Sequence, residues 1–251
     1  MMILLRSLAF NIVMFAAGAG LSLLARLTMR LRPHAPIVLG TLWARVSLAA
    51  LRRLCGIEIE VTGAEFLPAA GPAVIAAQHQ SAFDTLVWLT LIHHPAYVLK
   101  QELTRLPLMG KLLVPSGFIA VDRAGGAPAL RKMLTDCRAA AAAGRQIVIF
   151  PEGTRIPPGA RGVMQPGIVA LSKSLDLPII PAATNSGLYW GKTAFRKYPG
   201  RIRIKIYPPL PGHQPRGEIL AQLMHCFYES GVDNSVDQPA TDFAPSLNYT
   251  P

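Results

Sequence analysis

The chain has 251 residues, enough for one sizeable domain with its own core and a further segment. Half of it is hydrophobic (51%), only 16% is charged, and 25 basic against 14 acidic side chains give a formal charge of +11. So little charge beside so many aliphatic residues argues against a nucleic-acid binder. It fits a protein that meets an anionic membrane surface while resting on the membrane's apolar interior.

Residues 7–25, SLAFNIVMFAAGAGLSLLA, carry no charge. As a helix they would run ~28 Å, close to the thickness of a bilayer's hydrocarbon core. A cleaved signal sequence shows a similar apolar run, but Arg26, Arg30 and Arg32 follow directly, and basic residues there resist translocation. Residues 37–54 predict a second helix with Thr41, Arg45 and Arg52 on a narrow polar stripe and a wide apolar remainder. Such a helix either lies in the membrane interface or packs on the domain with its Arg side chains reaching outward. Seven Arg and no acidic residue precede Glu58, so residues 1–56 are expected to form membrane-anchoring helices on the cytosolic side.

From Ile57 the pattern changes to that of a globular α/β domain, expected over residues 57–230. IEIEV (57–61), AVIAA (73–77), AYVLK (96–100), GFIAVD (117–122), QIVIF (146–150) and PIIPAAT (178–184) read as strands. RIRIKIY (201–207), alternating basic and Ile, reads as the strand that closes the sheet. Helices are expected over residues 82–93, 127–143, 168–175 and 216–230. Residues 231–251 are rich in Asp, Asn, Ser and Pro and are expected to form a disordered tail. Cys55, Cys137 and Cys226 are odd in number and lack C-x2-C spacing, which points to reduced, packed thiols and away from disulfides or zinc.

Four short stretches can carry chemistry, each at the carboxyl end of an expected strand, where open α/β sheets bind ligands. In QHQSAFDT (78–85), Ser81 and Asp84 form a capping box that starts a helix, and His79 precedes it in the loop. Asp84 on the first turn can reach back to the imidazole, fixing its tautomer and favouring the protonated ring. No G-x-S-x-G elbow is present, so the nucleophile is expected to be a hydroxyl of the substrate that His79 deprotonates. In IVIFPEGTR (147–155), Gly153 allows close backbone approach, Thr154 offers a hydroxyl and Arg155 a planar fork suited to phosphate. GFIAVDR delivers Arg123 and AYVLK delivers Lys100 in the same manner, making a plausible site for a phosphorylated substrate.

H-x4-D, F-I-x-V-D-R, F-P-E-G-T-R and the strand PIIPAA, in this order, resemble the four motifs of the glycerolipid acyltransferases, in particular the bacterial 1-acyl-glycerol-3-phosphate acyltransferases. The resemblance spans about residues 57–212. It implies a mixed β-sheet flanked by helices, and transfer of a fatty acyl chain from acyl-CoA or acyl-carrier protein to the sn-2 hydroxyl of lysophosphatidate. No metal or other cofactor is implied. Carried over by position, His79 is the general base and Asp84 orients it, while Glu152, Gly153, Thr154 and Arg155 line the acceptor site and Arg123 and Lys100 hold the phosphate. The bacterial cytoplasmic membrane is the implied location. Other lyso-lipid acceptors, glycerol 3-phosphate, and a non-catalytic lipid-binding protein are the alternatives. The chain departs from the family pattern in two places: Gln78 stands where Asn is usual, and the loop IPPGARGVMQPG (156–167) replaces a lysine-bearing one.

Overall fold

A computed structural model describes residues 1–211 and 214–232. The expected tail therefore lies outside the described residues from position 233 onward. Two long N-terminal helices, α1 (Met2–Thr28) and α2 (Ala35–Cys55), precede the α/β domain. Each is long and apolar enough to cross a membrane, with mean hydropathies of 2.0 and 1.2. They form a hairpin in which the Trp43 indole N–H donates to the Met14 carbonyl at 2.9 Å. Gly56, at φ 67°, ends α2 in the left-handed conformation that lets the chain turn sharply into the first strand.

The domain then runs β1 (Ile57–Thr62), β2 (Ala73–Ala77), α3 (Phe83–Leu91), β3 (Pro95–Lys100), α4 (Gly110–Leu113), β4 (Ile119–Val121), α5 (Gly126–Ala142) and β5 (Gln146–Ile149). It continues with α6 (Gly167–Leu175), β6 (Ile179–Thr184), α7 (Ser186–Tyr189), β7 (Gly200–Ile206) and α8 (Arg216–Met224), which opens into a π-helical turn, His225–Glu229. The seven strands lie in the order β1-β7-β6-β2-β5-β3-β4. All neighbours are parallel except β6 and β7, so the sheet is mixed.

RIRIKIY does not close the sheet as expected: β7 sits inside it, between β1 and β6. Its Ile202, Ile204 and Ile206 point into the core. Arg201 and Arg203 on the other face meet Glu58 and Glu60 of β1 at 3.5–3.6 Å. These cations neutralise an acidic edge strand instead of presenting a basic surface.

The sheet is covered on both faces, which is why β2 and β6 read as unbroken apolar runs. Period-two alternation sorts β2 between the two cores. Ala73, Ile75 and Ala77 pack towards the N-terminal helices and α3, while Val74 and Ala76 pack towards α5, α6 and α8. The three cysteines are free and buried. Because β2, β3, β4, β5 and β6 are parallel, their carboxyl ends share one edge of the sheet.

Candidate active site

The chain leaves β2 at that edge. The Gln78 N–H donates to the Ala182 carbonyl at 2.8 Å, and His79 follows in the loop. Asp84 on the first turn of α3 is 2% exposed. Its Oδ2 accepts from the Gln80 N–H at 2.7 Å and the Ser81 N–H at 2.8 Å, and lies 3.1 Å from His79 Nδ1. Its Oδ1 accepts from the Ser186 hydroxyl at 2.6 Å. The Ser81 hydroxyl in turn accepts the Phe83 N–H at 2.9 Å. Half of the capping box expected from S-x-x-D is thus present: Asp84 accepts the Ser81 N–H, but the Ser81 hydroxyl takes the Phe83 N–H instead of that of Asp84, and Ser81 stands one position outside the flanking residue, Ala82.

With Nδ1–H directed at a carboxylate, Nε2 is the nitrogen left to act as base. The imidazole is 12% exposed and stacks on Phe150 at 4.1 Å with 17° between the planes, which holds the ring orientation.

The loop after β5 braces this histidine from behind. Gly153, at φ 69°, closes a turn by donating its N–H to the Phe150 carbonyl at 3.0 Å. The turn sends Glu152 inward, 2% exposed. Glu152 Oε2 accepts the backbone N–H of His79 at 2.7 Å, and Oε1 accepts the hydroxyl of Tyr228 at 2.6 Å. The Ile156 N–H donates to the His79 carbonyl at 2.7 Å, so both backbone groups of His79 are held by the 150–156 segment. Burial pushes the Glu152 carboxyl up to about 7, against the two hydrogen bonds that favour its charged form; the nearby Asp84 charge adds to the rise.

Two cavities flank these loops. An apolar one of about 810 Å³ lies between α1 and α3, bordered by Phe15, Ala82, Thr85, Leu108, Arg155 and Lys197 among others. A second, of about 410 Å³, is bordered by Arg123, Glu152, Gly153, Thr154 and Gln165.

The family model described as Acyltransferase matches residues 58–185, half of the chain. The chain belongs to the acyltransferase family. Among its relatives is the 1-acyl-sn-glycerol-3-phosphate acyltransferase of Pseudomonas aeruginosa, 37% identical over 176 residues, which cover 69% of this chain and 68% of that protein. The protein of the same name from Limnanthes alba is 32% identical over 181 residues, covering 71% of this chain and 63% of that protein. The crystal structure of the 1-acyl-sn-glycerophosphate acyltransferase from Thermotoga maritima superposes with a TM-score of 0.70. That match is 21% identical and covers 88% of this chain and 92% of the other, which shows a shared fold.

In this acyltransferase the structure brings His79, Asp84 and Glu152 together but separates the cations. Arg155 borders the apolar cavity and donates to the Lys192 carbonyl at 2.9 Å. Arg123 borders the other cavity and donates to the Gly153 carbonyl. Lys100 lines neither cavity; half exposed, it pairs with Glu102 at 3.0 Å. Gly153 and the exposed Thr154 border the Arg123 cavity. Glu152, expected to line the acceptor site, has both carboxylate oxygens committed to bracing. Ser186 and Tyr228 were not anticipated. Ser186 lies two residues past the end of β6 at the same sheet edge, as His79 does past β2, so the strand-end rule that singled out His79 would have found it. Tyr228 carries no comparable signal.

Proposed function

We propose that this acyltransferase moves a fatty acyl chain from acyl-CoA or acyl-carrier protein onto the sn-2 hydroxyl of 1-acyl-glycerol-3-phosphate, giving phosphatidate. The observation that carries this reading is the His79–Asp84 pair, aligned at 3.1 Å beside an apolar cavity with room for a lipid chain. His79 Nε2 takes the proton of the acceptor hydroxyl as its oxygen attacks the thioester carbonyl, and Asp84 stabilises the imidazolium. The tetrahedral intermediate then expels the thiolate, which takes the proton back from His79. Helix-start amides are a usual source of oxyanion stabilisation. Those of Gln80, Ser81 and Phe83 already donate to Asp84 and Ser81, so they do not serve in this conformation.

Arg123 and Arg155 border different cavities, so the phosphate of an acceptor whose chain lies along α1 falls to Arg155. The N-terminal hairpin supports an arrangement in one leaflet of the bacterial cytoplasmic membrane, with the domain on the cytosolic side. Near its start, α1 is tied to the domain by the Lys197 ammonium on Asn11 at 2.7 Å and the Lys197 N–H on Ser7 at 2.9 Å. Near its end, Ser22 and Ala25 line a small cavity with Leu112 and Leu113 of α4. Hydrogen-bonded to the domain near its start and facing α4 near its end, α1 is better placed along one leaflet than across the bilayer. Anionic lipid is the partner surface for the basic chain.

The test is acyl transfer by detergent-solubilised protein, with each donor in turn and lysophosphatidate as acceptor. His79→Ala should lose about 10²–10⁴-fold in turnover while still folding. Near wild-type turnover by that variant would overturn the mechanism.

A further inference from the structure

Both catalytic loops are tied to a part of the chain that lies beyond the residues matched by the family model, the π-helical turn after α8. Tyr228 on this turn donates to Glu152 Oε1 at 2.6 Å and accepts the Gly162 N–H at 2.9 Å. One residue earlier, the Phe227 carbonyl accepts a longer bond, 3.4 Å, from the Gln78 side-chain amide, whose oxygen accepts the Thr184 N–H at 3.0 Å. The two departures from the family pattern therefore meet at one place. The shorter Asn side chain would fall ~1.5 Å short of spanning from Thr184 to Phe227. The loop 156–167 brings Gly162, where a Cβ would lie 2.9 Å from the Tyr228 oxygen, 2.7 Å from Ile156 Cγ1 and 3.1 Å from Glu152 Cγ. Only glycine leaves room for that hydrogen bond.

We propose that Tyr228 is a positioning residue for acyl transfer, holding Glu152 in the rotamer that clamps the backbone N–H of His79 and so fixes the base against Asp84. This rests on the reading of His79 as the general base. Glu152 links the two directly: one oxygen meets Tyr228 and the other meets His79. Ionised, it accepts both bonds; protonated, it must give up one acceptor role. The charged groups around it are Asp84 from α3, Arg123 on the adjoining Gly153 carbonyl, Arg155 further along its own loop, and the Arg161–Glu229 pair at 3.6 Å beside Tyr228. None of these replaces the phenol on Oε1. π-Turns of this sort recur where a helix end serves a site.

The experiment compares Tyr228→Phe with wild type in three respects. At pH 7, kcat should fall about tenfold with KM for the acceptor little changed, as expected for one hydrogen bond to a charged group. Losing that donor favours protonated Glu152, so the acid limb of the kcat profile should move to higher pH and activity should partly return there. Independently of any substrate, the His79 amide should exchange with solvent roughly tenfold faster. Adding Tyr228→Phe to Glu152→Gln should then cost little further activity, because the path runs through Glu152. An unmoved acid limb with a protected His79 amide would overturn the proposal. So would a pH-independent loss explained by a lower thermal midpoint, which would make Tyr228 a packing residue. If lysophosphatidate proves not to be the acceptor, the His79 exchange rate still decides the role of Tyr228.

Discussion

Asp84→Asn tests the dyad with the least disturbance of its surroundings. The amide is isosteric, and the donors leave it one satisfying orientation. Its oxygen can accept from His79 Nδ1, Gln80 and Ser81 in place of Oδ2, while its NH₂ faces the Ser186 hydroxyl, which can rotate to accept. What disappears is the negative charge. With Nδ1 and Oδ2 3.1 Å apart, imidazolium and carboxylate charge centres lie about 4 Å from one another. That separation is worth about 4 kcal/mol at the effective dielectric of a protein site. If most of this acts only when the ring is protonated in the transition state, kcat should fall about 10²–10³-fold with little change in KM. Exchanging charge-assisted for neutral hydrogen bonds should cost about 1–3 kcal/mol of stability, a few degrees in thermal midpoint for a chain of this size. The assay is initial-rate transfer of labelled acyl chains at saturating acceptor, beside a melting curve of the same preparation. A variant that melts like wild type and keeps more than a tenth of kcat would refute the electrostatic role of Asp84.

Glu152 gives a linkage test. Its folded-state pKa of about 7 exceeds the ordinary 4.5, so the native protein holds a proton there that the unfolded chain releases. That contribution to stability is fully present below about 4.5 and is lost as pH rises through about 7. Glu152→Gln should flatten this part of the stability profile between those values; an unchanged slope in unfolding midpoint against pH would contradict the assignment. In the apolar cavity, Ala19 sits on the α1 wall. Ala19→Phe should narrow it and lower kcat/KM for long acyl chains roughly tenfold relative to short ones, measured by competition between donors; an unaltered chain preference would place the acyl chain elsewhere.

Much of this molecule is readable without coordinates because the signals are local. Unbroken apolar runs such as AVIAA announce strands covered on both faces, S-x-x-D announces the start of α3, and the strand-end rule puts His79, Glu152 and Arg123 on one edge of a parallel sheet. The ordered motifs then name the family. Even the pairing of His79 with Asp84 is a short-range event, closed within one turn of a helix.

The partners that constrain the pair come from far along the chain. Glu152 reaches His79 across 73 residues, Ser186 reaches Asp84 across 102, and Tyr228 reaches Glu152 across 76. These meetings follow from the order β1-β7-β6-β2-β5-β3-β4, which brings β5 and β6 to either side of β2. The same order turned β7 from an expected closing strand into an interior one, its arginines spent on Glu58 and Glu60. It also parted the cations that sequence order grouped together, sending Arg155 to one cavity, Arg123 to the other and Lys100 to neither. Sequence by itself determined most of the elements, the nearness of His79 to Asp84 and the family, because backbone periodicity and turn chemistry act over a few residues. Which carboxylate braces and which cation borders the apolar cavity were decided only by tertiary structure, because burial and distance depend on which strands become neighbours.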